Sequence, residues 1–303
     1  PVDLRPLAAA VPGAVVERLR DARRVLSIGH ESPDADALGA ALAIGMLVEA
    51  LGGRATVAAA DAVPDLYRFL DGSDLVRTDP EPDVAYDLVV LCDCGDLSRV
   101  GTIRDRNAAL FASTPLLTID HHASNNASGD LAWIDPGAAA TCEMVALLAT
   151  RLGVPLTAGE GRLAATLTAG IVMDTATFAH PNTTPRTLQV AAALVEAGAP
   201  LSEISRRLYR TKPDAQLALF GRVLGRLQSH AEGLVIAMPV QYLWLAWGYP
   251  DLLLERVHAA APVDGIITAY DWRTRRGSVN LGANDRVKAG YEFDIFTKRP
   301  GGD

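Results

Sequence analysis

Short apolar runs alternate with longer stretches of helical periodicity through the first 200 residues of the chain. Such runs predict buried strands at residues 25–28, 54–59, 86–92 and 116–119. Apolar positions at helical spacing predict helices over residues 12–23, 37–51, 141–152 and 158–172. Continuously apolar strands separated by helices are typical of a parallel sheet with both faces covered. The pattern therefore predicts an α/β protein built on a parallel sheet.

The last third of the chain has a different organisation. A charged helical stretch at residues 201–212 predicts a linker, and a helix is predicted over residues 214–227. Shorter apolar runs predict strands at residues 234–238, 265–270 and 278–281. We therefore expect a first domain over residues 1–200, a linker helix over 201–212 and a smaller α/β domain over 213–303.

Composition and charge narrow the class of protein. The 303 residues are 49% hydrophobic, enough for a packed core, and carry a net charge of −8. Residues 1–199 carry −11 and residues 200–303 carry +3. An extended surface for long nucleic acids is therefore not expected, whereas the mildly basic part suits an anionic substrate.

The same composition bears on where the protein works. No apolar run reaches the ~18 residues that a membrane span needs, and the N-terminus has no signal-peptide pattern. The three cysteines form no disulfide framework, which fits a reducing compartment. We therefore expect a cytoplasmic protein.

The most informative stretch follows the first predicted strand. It places His30, Asp34 and Asp36 in one turn, between that strand and the next helix. Ligands collect where parallel strands end, and carboxylates packed this closely repel each other unless cations neutralise them. One imidazole with several carboxylates suits Mn²⁺, Mg²⁺ or Fe²⁺ better than a metal that prefers thiolates. The stretch therefore predicts part of a metal site, and the alternative is an aspartate that caps the helix beside an unrelated histidine.

Two further carboxylates stand at the ends of other predicted elements. Asp93 ends the third strand, where a buried charge is costly without a partner. Asp174 follows an almost entirely apolar helix, which is an unusual place for an unpaired charge. A metal ion would explain both positions, although a salt bridge or a cap would also account for Asp93.

The fourth strand ends in Asp120, His121 and His122. Adjacent side chains at a strand end point to different sides, so we expect at most one histidine to bind a given metal and the other to be free for substrate. Asp120 is placed to accept a hydrogen bond that fixes the tautomer of an imidazole. The alternative is a pair of plain surface histidines.

Four sequence patterns occur in order, and together they resemble the DHH phosphoesterase superfamily. They are His30-x3-Asp34-x-Asp36-x2-Gly39, Asp93-x5-Arg99-x-Gly101, Asp120-His121-His122, and Gly170-Ile171-x2-Asp174-Thr175 followed by Phe178 and Asn182-Thr183-Thr184. The chain is most similar to the short bacterial branch, the nanoRNases that also act as phosphatases of 3′-phosphoadenosine 5′-phosphate (pAp). The resemblance covers about residues 10–230 and depends on all four patterns occurring together.

The resemblance implies a catalytic domain that holds two divalent ions, usually Mn²⁺, with Mg²⁺ as an alternative. By motif position, one ion would be bound by His30, Asp34 and Asp93, and the other by Asp36, Asp93, His121 and Asp174. The resemblance further implies that Asp120 supports the histidines, that His122 contacts the scissile phosphate and that Arg99 contacts substrate. The implied reaction is in-line attack on phosphorus by a hydroxide that bridges the two ions.

The last part of the chain departs from the family pattern. Members usually carry a Ser-Leu-Arg-Ser element in a smaller cap domain, where this chain has Asn280-Leu281-Gly282-Ala283. They also carry a Gly-Gly-Gly-His stretch, which has no counterpart here. Either the cap domain has diverged or the sequence is cut short. Four aromatic residues between Tyr242 and Tyr249 suit base stacking, and the alternative is packing.

These observations lead to one expected function and several alternatives. We expect hydrolysis of short single-stranded oligoribonucleotides to mononucleotides, and of pAp. No long duplex and no membrane is expected as a partner, and a homodimer is the default assembly. The same chemistry leaves open a cyclic or linear dinucleotide phosphodiesterase, an inorganic pyrophosphatase and a 5′ single-strand exonuclease. A non-catalytic nucleotide sensor is suggested by the missing cap-domain elements.

Overall fold

The computed structural model describes residues 1–211 and, beyond them, short segments at residues 217–218, 221–222, 228–230, 235–237, 266–271 and 276–280. The chain divides into two compact units, Pro1–Thr211 and Lys212–Asp303. The functions assigned above to the three parts of the chain stay predictions.

The first unit alternates strands with helices. Its strands are β1 (Arg24–Ile28), β2 (Arg54–Ala58), β3 (Leu88–Cys92), β4 (Leu116–Asp120) and β5 (Leu131–Ile134). Its helices are α1 (Arg5–Ala8), α2 (Gly13–Asp21), α3 (Ala35–Ala50), α4 (Thr102–Arg106), α5 (Ala108–Ser113), α6 (Thr141–Leu152), α7 (Arg162–Asp174), α8 (Pro185–Glu196) and α9 (Leu201–Ser205). The pattern did not predict β5, which is only partly buried, or the short helices α1, α4 and α5, because so few residues carry little periodicity.

The five strands form one parallel sheet in the order β2-β1-β3-β4-β5. Ile28 at the end of β1 pairs with Leu91 of β3, and Cys92 at the end of β3 pairs with Ile119 of β4. The predicted α/β class with a parallel sheet is confirmed. The strand order reverses between β1 and β3, and in sheets of this kind ligands bind in the crevice that opens at the carboxyl ends beside the reversal.

Both faces of the sheet are covered, which explains the continuous apolar character of β3. Its residues Leu88, Val90 and Cys92 belong to the larger core, together with buried residues of α2, α3, α6 and α7. The alternate residues Val89 and Leu91 belong to a second core on the opposite side. Successive side chains of a strand point to opposite faces, so every position of a strand covered on both sides is apolar.

Two glycines allow α3, α6 and α7 to pack closely. A Cβ on Gly39 of α3 would lie 3.0 Å from Cys142 Sγ and 3.0 Å from the Thr166 carbonyl oxygen. A Cβ on Gly170 of α7 would collide with Cys142 Sγ and lie 2.5 Å from Asp36 Oδ1. The missing side chain of Gly170 therefore leaves the space in which the Asp36 carboxylate lies.

The predicted linker, residues 201–212, is helical at its start. Helix α9 continues into a π-helical turn at Arg206–Arg210, within the predicted linker. In the second unit, β6 (Gln228–His230) pairs antiparallel with β7 (Val235–Ala237), and β8 (Ile266–Asp271) pairs antiparallel with β9 (Arg276–Asn280). The last three strands overlap the three predicted ones, whereas β6 was not predicted.

Two features singled out from the sequence lie outside the described residues. These are the aromatic residues between Tyr242 and Tyr249, and residues 281–283 of the divergent cap-domain element. Among the helices that the structure describes, none combines the length and apolarity that a membrane crossing requires.

We predict that Gly170→Ala destabilises the protein by about 1–3 kcal/mol, because the added methyl group has no space between Cys142 and Asp36. Gly13→Ala is the matched control, since a Cβ there meets nothing within 4 Å, and it should stay within about 0.5 kcal/mol of the parent chain. The measurement is chemical denaturation of both variants. An unchanged unfolding midpoint for Gly170→Ala would contradict the packing described here.

Candidate metal centre

The predicted site residues converge at the carboxyl ends of β1, β3 and β4. His30 lies two residues after β1, Asp93 directly follows β3, and His121 directly follows β4. Asp36, in the first turn of α3, and Asp174, the last residue of α7, approach the same place from the helices. The sheet therefore brings together residues that lie up to 144 positions apart in the sequence.

His30 and Asp34 form one side of the centre with Asp93. His30 Nε2 lies 3.9 Å from Asp34 Oδ1 and 3.6 Å from Asp93 Oδ2. Asp34 is also the N-cap of α3, because its Oδ1 accepts hydrogen bonds from the N–H groups of Asp36 and Ala37. Asp34 can therefore cap the helix and also serve as a candidate metal ligand, so the two interpretations given above do not exclude each other.

Burial controls the protonation of His30. The residue is 5% exposed, and burial lowers the pKa of His30, which favours the neutral imidazole that binds metals. The positive charge of Arg99 acts in the same direction. Arg99 is half-buried in a 3₁₀ turn after β3, and its carbonyl oxygen accepts from the Glu31 N–H at 2.7 Å. Its contact with substrate stays a prediction.

Asp36 is fully buried at the N-terminus of α6. Its Oδ2 accepts from the Thr141 N–H at 2.6 Å, and its Oδ1 accepts from the Cys142 N–H at 2.8 Å. A helix N-terminus is a favourable place for a carboxylate, since its free N–H groups carry partial positive charge. Burial, followed by the charges of Asp93 and Asp174, nevertheless raises the pKa of Asp36 well above its usual value.

Asp93 lies between the two sides of the centre. Its backbone has a φ of 58°, a left-handed conformation that is costly for a residue other than glycine. Strained backbone of this kind clusters at functional sites. Its Oδ1 accepts a hydrogen bond from the Thr141 hydroxyl at 2.8 Å. Burial, with the charges of Asp34 and Asp174, raises the pKa of Asp93 to about 7.

His121 faces two carboxylates. Its Nε2 lies 3.1 Å from Asp174 Oδ2 and 3.5 Å from Asp93 Oδ1, and its Nδ1 lies 3.4 Å from the Ala138 carbonyl oxygen. Burial lowers the pKa of His121, but the nearby Asp174 carboxylate and the charges of Asp36 and Asp93 outweigh it and raise the pKa to about 10. The buried Nε2 has no aligned hydrogen-bond partner among the described residues. A metal ion at this position would satisfy it.

His122 and Asp120 form a pair beside the centre. His122 Nδ1 lies 2.8 Å from Asp120 Oδ1, and the Asn125 side-chain amide donates to Asp120 Oδ2. Burial raises the pKa of Asp120, but the hydrogen bonds from His122 and Asn125 outweigh it and leave the pKa lowered. The His122 side chain is 38% exposed, and its Nδ1 lies 3.6 Å from Asp93 Oδ1. Both histidines thus lie close to Asp93, although we expected them to point to different sides of the strand end.

Asp174 is the last residue of α7. The sequence pattern had instead placed it after the end of the helix. Burial raises its pKa. Three residues in the left-handed region come shortly after it, with φ values of 47° at Ala176, 59° at Thr177 and 64° at Phe178. The Asn182 side-chain amide donates to the Asp174 carbonyl oxygen at 3.2 Å. The end of α7 is therefore held in an unusual turn beside the centre.

Three overlapping groups of candidate ligand atoms lie within the part of the chain that the structure describes. The atoms of each group are within 4.8 Å of one another, and the groups are His30, Asp34 and Asp93; Asp36, His121 and Asp174; and Asp93, His121 and His122. The six predicted metal ligands are therefore brought together. Their division between two ions stays a prediction.

Sequence reasoning missed the residues that support these ligands. Thr141 contacts Asp36 through its N–H and Asp93 through its hydroxyl. A threonine before an apolar stretch indicates the start of a helix, and nothing local shows what its side chain contacts. In the sequence, Asn125 stands out only as a polar residue shortly after the two histidines, and nothing there indicates its hydrogen bond to Asp120.

The fold and the centre define an α/β protein with a candidate divalent-metal site at the carboxyl edge of a parallel sheet. Residues 24–172 match the DHH family, N-terminal domain, and the chain belongs to the DHH family. The resemblance stated from the four sequence patterns is thereby confirmed. DHH phosphoesterases are metal-dependent, and the carboxylates and imidazoles present here fit a divalent cation.

Three individual proteins are similar to the chain. It is 34% identical to the bifunctional oligoribonuclease and PAP phosphatase NrnA of Thermus thermophilus over 207 residues, which cover 68% of this chain and 60% of that protein. It is 26% identical to the cyclic-di-AMP phosphodiesterase GdpP of Geobacillus thermodenitrificans over 316 residues, 98% of this chain and 46% of that protein.

The third is the crystal structure of an exopolyphosphatase-related protein from Bacteroides fragilis. It has 22% identity and a TM-score of 0.65, covering 72% of this chain and 65% of that one, and it shows the same fold. The chain spans less than two thirds of the length of each of these three relatives.

The raised pKa values predict how the metal-free protein responds to pH. The folded states of Asp36 and Asp93 hold protons that the unfolded chain releases near pH 4, and folded His121 holds one that the unfolded chain releases near pH 6.5. Stability then falls as pH rises. The lowered pKa of His30 acts in the opposite sense, but only below about pH 6.5.

We therefore expect the Tm of the metal-free protein to fall between pH 6.5 and pH 8, and saturating Mn²⁺ to remove most of the fall, because bound metal replaces the protons. Differential scanning calorimetry at both pH values is the measurement. Asp93→Asn should flatten the dependence in the metal-free state. A Tm that rises over this interval in the metal-free parent chain would contradict the raised pKa values of Asp36, Asp93 and His121.

Thr141→Val should weaken Mn²⁺ binding by about 10-fold, because it removes the hydroxyl that orients Asp93 and keeps the N–H that binds Asp36. Thr141→Ser should restore the affinity. Thr150→Val is the control on the same helix, since the Thr150 hydroxyl donates to Ala146 of α6 itself. Isothermal titration would measure the dissociation constants of the parent chain and the three variants, and equal values for Thr141→Val and the parent chain would contradict this role.

Proposed function

We propose that this chain is a phosphoesterase that uses two Mn²⁺ ions to hydrolyse short oligoribonucleotides to mononucleotides, and that also hydrolyses pAp. The observation that carries the proposal is the sharing of Asp93 between two of the three candidate ligand groups. A carboxylate with oxygens facing two clusters is suited to bridge two ions. The name of the Thermus relative supports this choice of substrates.

In the proposed division of ligands, His30 and its neighbours would hold one ion, and His121 and its neighbours would hold the other. His30 Nε2 lies 3.6 Å from Asp93 Oδ2, and His121 Nε2 lies 3.5 Å from Asp93 Oδ1. The two imidazoles thus approach different oxygens of one carboxylate. Asp34 completes the first set, and Asp36 and Asp174 complete the second.

Two bound divalent ions supply Lewis-acid activation of water and stabilise the charge that develops on phosphoryl oxygens. The residues of the chain prepare the place for that chemistry. The buried carboxylates of Asp36 and Asp93, whose pKa values are raised, would release their protons to solvent as the cations bind in their place. His122 is held through Nδ1 by Asp120, which leaves Nε2 as the nitrogen for a phosphate oxygen. Asp120 stays ionised because its pKa is lowered, and it therefore keeps His122 oriented.

The charge distribution supports a small substrate. Residues 1–199 carry a net charge of −11, which repels the long phosphate backbone of a duplex. A short single strand carries few phosphates, and the bound cations can neutralise them locally. Residues 200–303 carry +3, and this charge favours an anionic substrate. Three buried cysteines without disulfide bonds are consistent with the proposed cytoplasmic location.

A second candidate is supported by the relative from Geobacillus. That protein is named as a cyclic-di-AMP phosphodiesterase, and its similarity runs over 98% of this chain. A dinucleotide second messenger would present the same phosphodiester to the same centre. An inorganic pyrophosphatase and a non-catalytic nucleotide sensor are further outcomes that the assay below separates.

The test is hydrolysis by the purified chain with Mn²⁺ of a diribonucleotide, pAp, cyclic di-AMP, pyrophosphate and a longer oligonucleotide, compared side by side. We expect mononucleotide release from the diribonucleotide at the highest kcat/KM. Asp93→Ala and His121→Ala should each lose at least about 100-fold in kcat/KM, or about 2.7 kcal/mol of transition-state stabilisation. Asp65→Asn is the control, because Asp65 is an exposed partner of Arg68.

The possible results separate the candidates. Preference for cyclic di-AMP or for pyrophosphate would replace the proposed substrate and keep the metal centre. Binding of two ions without hydrolysis of any of the five compounds would favour the sensor. Full activity in both Asp93→Ala and His121→Ala would reject the proposed mechanism.

A further inference from the structure

Arg186 lies at the start of α8, where its backbone is held firmly. Thr184 caps the helix, Pro185 takes its first position, and the side chains of Thr184 and Thr187 form a reciprocal capping box. From this position the Arg186 guanidinium reaches two carboxylates. Its Nε donates to Glu143 Oε1, and its Nη1 donates to Asp135 Oδ2 at 2.8 Å.

The two carboxylates stand at opposite ends of one segment, residues 135–143, which we call the β5–α6 segment. Each also binds backbone inside it. Glu143 Oε2 accepts from the Ala139 N–H at 3.2 Å, and Asp135 Oδ1 accepts from the Gly137 N–H at 3.0 Å. Arg186 joins the two carboxylates and so closes the segment into one hydrogen-bonded unit.

The same segment makes hydrogen bonds to three of the predicted metal ligands. The Ala138 carbonyl oxygen lies 3.4 Å from His121 Nδ1. The N–H groups of Thr141 and Cys142 bind Asp36, and the Thr141 hydroxyl binds Asp93. A displacement of the β5–α6 segment would therefore move His121, Asp36 and Asp93 together.

The chemistry of this bridge requires an arginine. The Glu143 side chain is completely buried, and those of Arg186 and Asp135 are 25% and 28% exposed. A planar guanidinium carries donors in a fixed fork and can join two carboxylates, whereas a lysine ammonium is a point charge. Neither Arg186 nor Glu143 belongs to the candidate ligand groups in the described part of the chain.

We propose that Arg186 is a positioning residue for the metal centre. By joining Asp135 to Glu143 it fixes the β5–α6 segment, and the segment in turn holds His121, Asp36 and Asp93 in the geometry that binds metal. This inference rests on the proposed function for the presence of a metal at the centre.

The test must separate positioning from stability. Removing the guanidinium alone leaves a buried Glu143 without its counter-charge, which carries a large penalty. The double variant Arg186→Met/Glu143→Gln removes both charges and keeps an amide oxygen for the Ala139 N–H. Arg186→Lys keeps the charge balance and loses the fork. Arg162→Met/Asp71→Asn is the matched control, since it removes an ion pair of 2.9 Å on the surface.

Each full-length protein is stripped of metal and studied by calorimetric titration with Mn²⁺, thermal unfolding of the metal-free state and NMR of the His121 imidazole nitrogens. In the double variant we expect a Tm close to that of the parent chain, Mn²⁺ affinity lowered about 10–100-fold, and altered His121 Nδ1 and Nε2 resonances. Arg186→Lys should lose at least about 10-fold in affinity, and the surface control should match the parent chain in all three measurements.

Parent-like Mn²⁺ affinity in the double variant would overturn the inference and leave the proposed function intact. If the double variant does not fold, parent-like Mn²⁺ affinity in Arg186→Lys would overturn the inference instead. Failure of the parent chain itself to bind Mn²⁺ would instead reject the proposed function, and this inference with it.

Discussion

Repulsion among buried carboxylates is the constraint on which this structure depends. Asp36 is fully buried, Asp93 is 2% exposed, and both lie close to Asp34 and Asp174. Such a group is stable only where donors and positive charge oppose the repulsion. The chain supplies N–H groups at the start of α6, the hydroxyl of Thr141 and the imidazole of His121. Even with these donors, the pKa values of Asp36 and Asp93 remain raised. The folded chain therefore still favours protons or cations at the centre.

The fold meets this constraint through its topology. The strand order reverses between β1 and β3, and the crevice at the reversal receives side chains that follow both strands. Helices α3, α6 and α7 pack closely enough for the start of α6 to reach Asp36, because Gly39 and Gly170 carry no side chains. Apolar packing on both faces of the sheet stabilises the framework, and the polar cost is confined to one edge.

The sequence predicts the framework and the residues that gather at the centre well, for physical reasons. A strand buried on both faces must be apolar throughout, so β3 and its closing Asp93 stand out. Strand β5 escapes prediction because it is only partly buried. The residues that support the centre are not predicted for another reason. Thr141 lies 105 positions from Asp36 and Arg186 lies 43 from Glu143, and no local pattern records contacts between such distant residues.

The arrangement also links folding to cation binding. The buried carboxylates repel each other in the folded state and separate when the chain unfolds, so this repulsion lowers the stability of the metal-free fold. A cation that binds only the folded chain would offset the repulsion and stabilise the fold. Selectivity for a divalent ion follows from the same source, because one such ion offsets the repulsion of several carboxylates at once, whereas each proton neutralises a single carboxylate. Loosening the supports of Asp36, Asp93 and His121 would relieve the repulsion and weaken the site together. The geometry that makes the metal-free centre costly is therefore the geometry that suits it to a divalent cation.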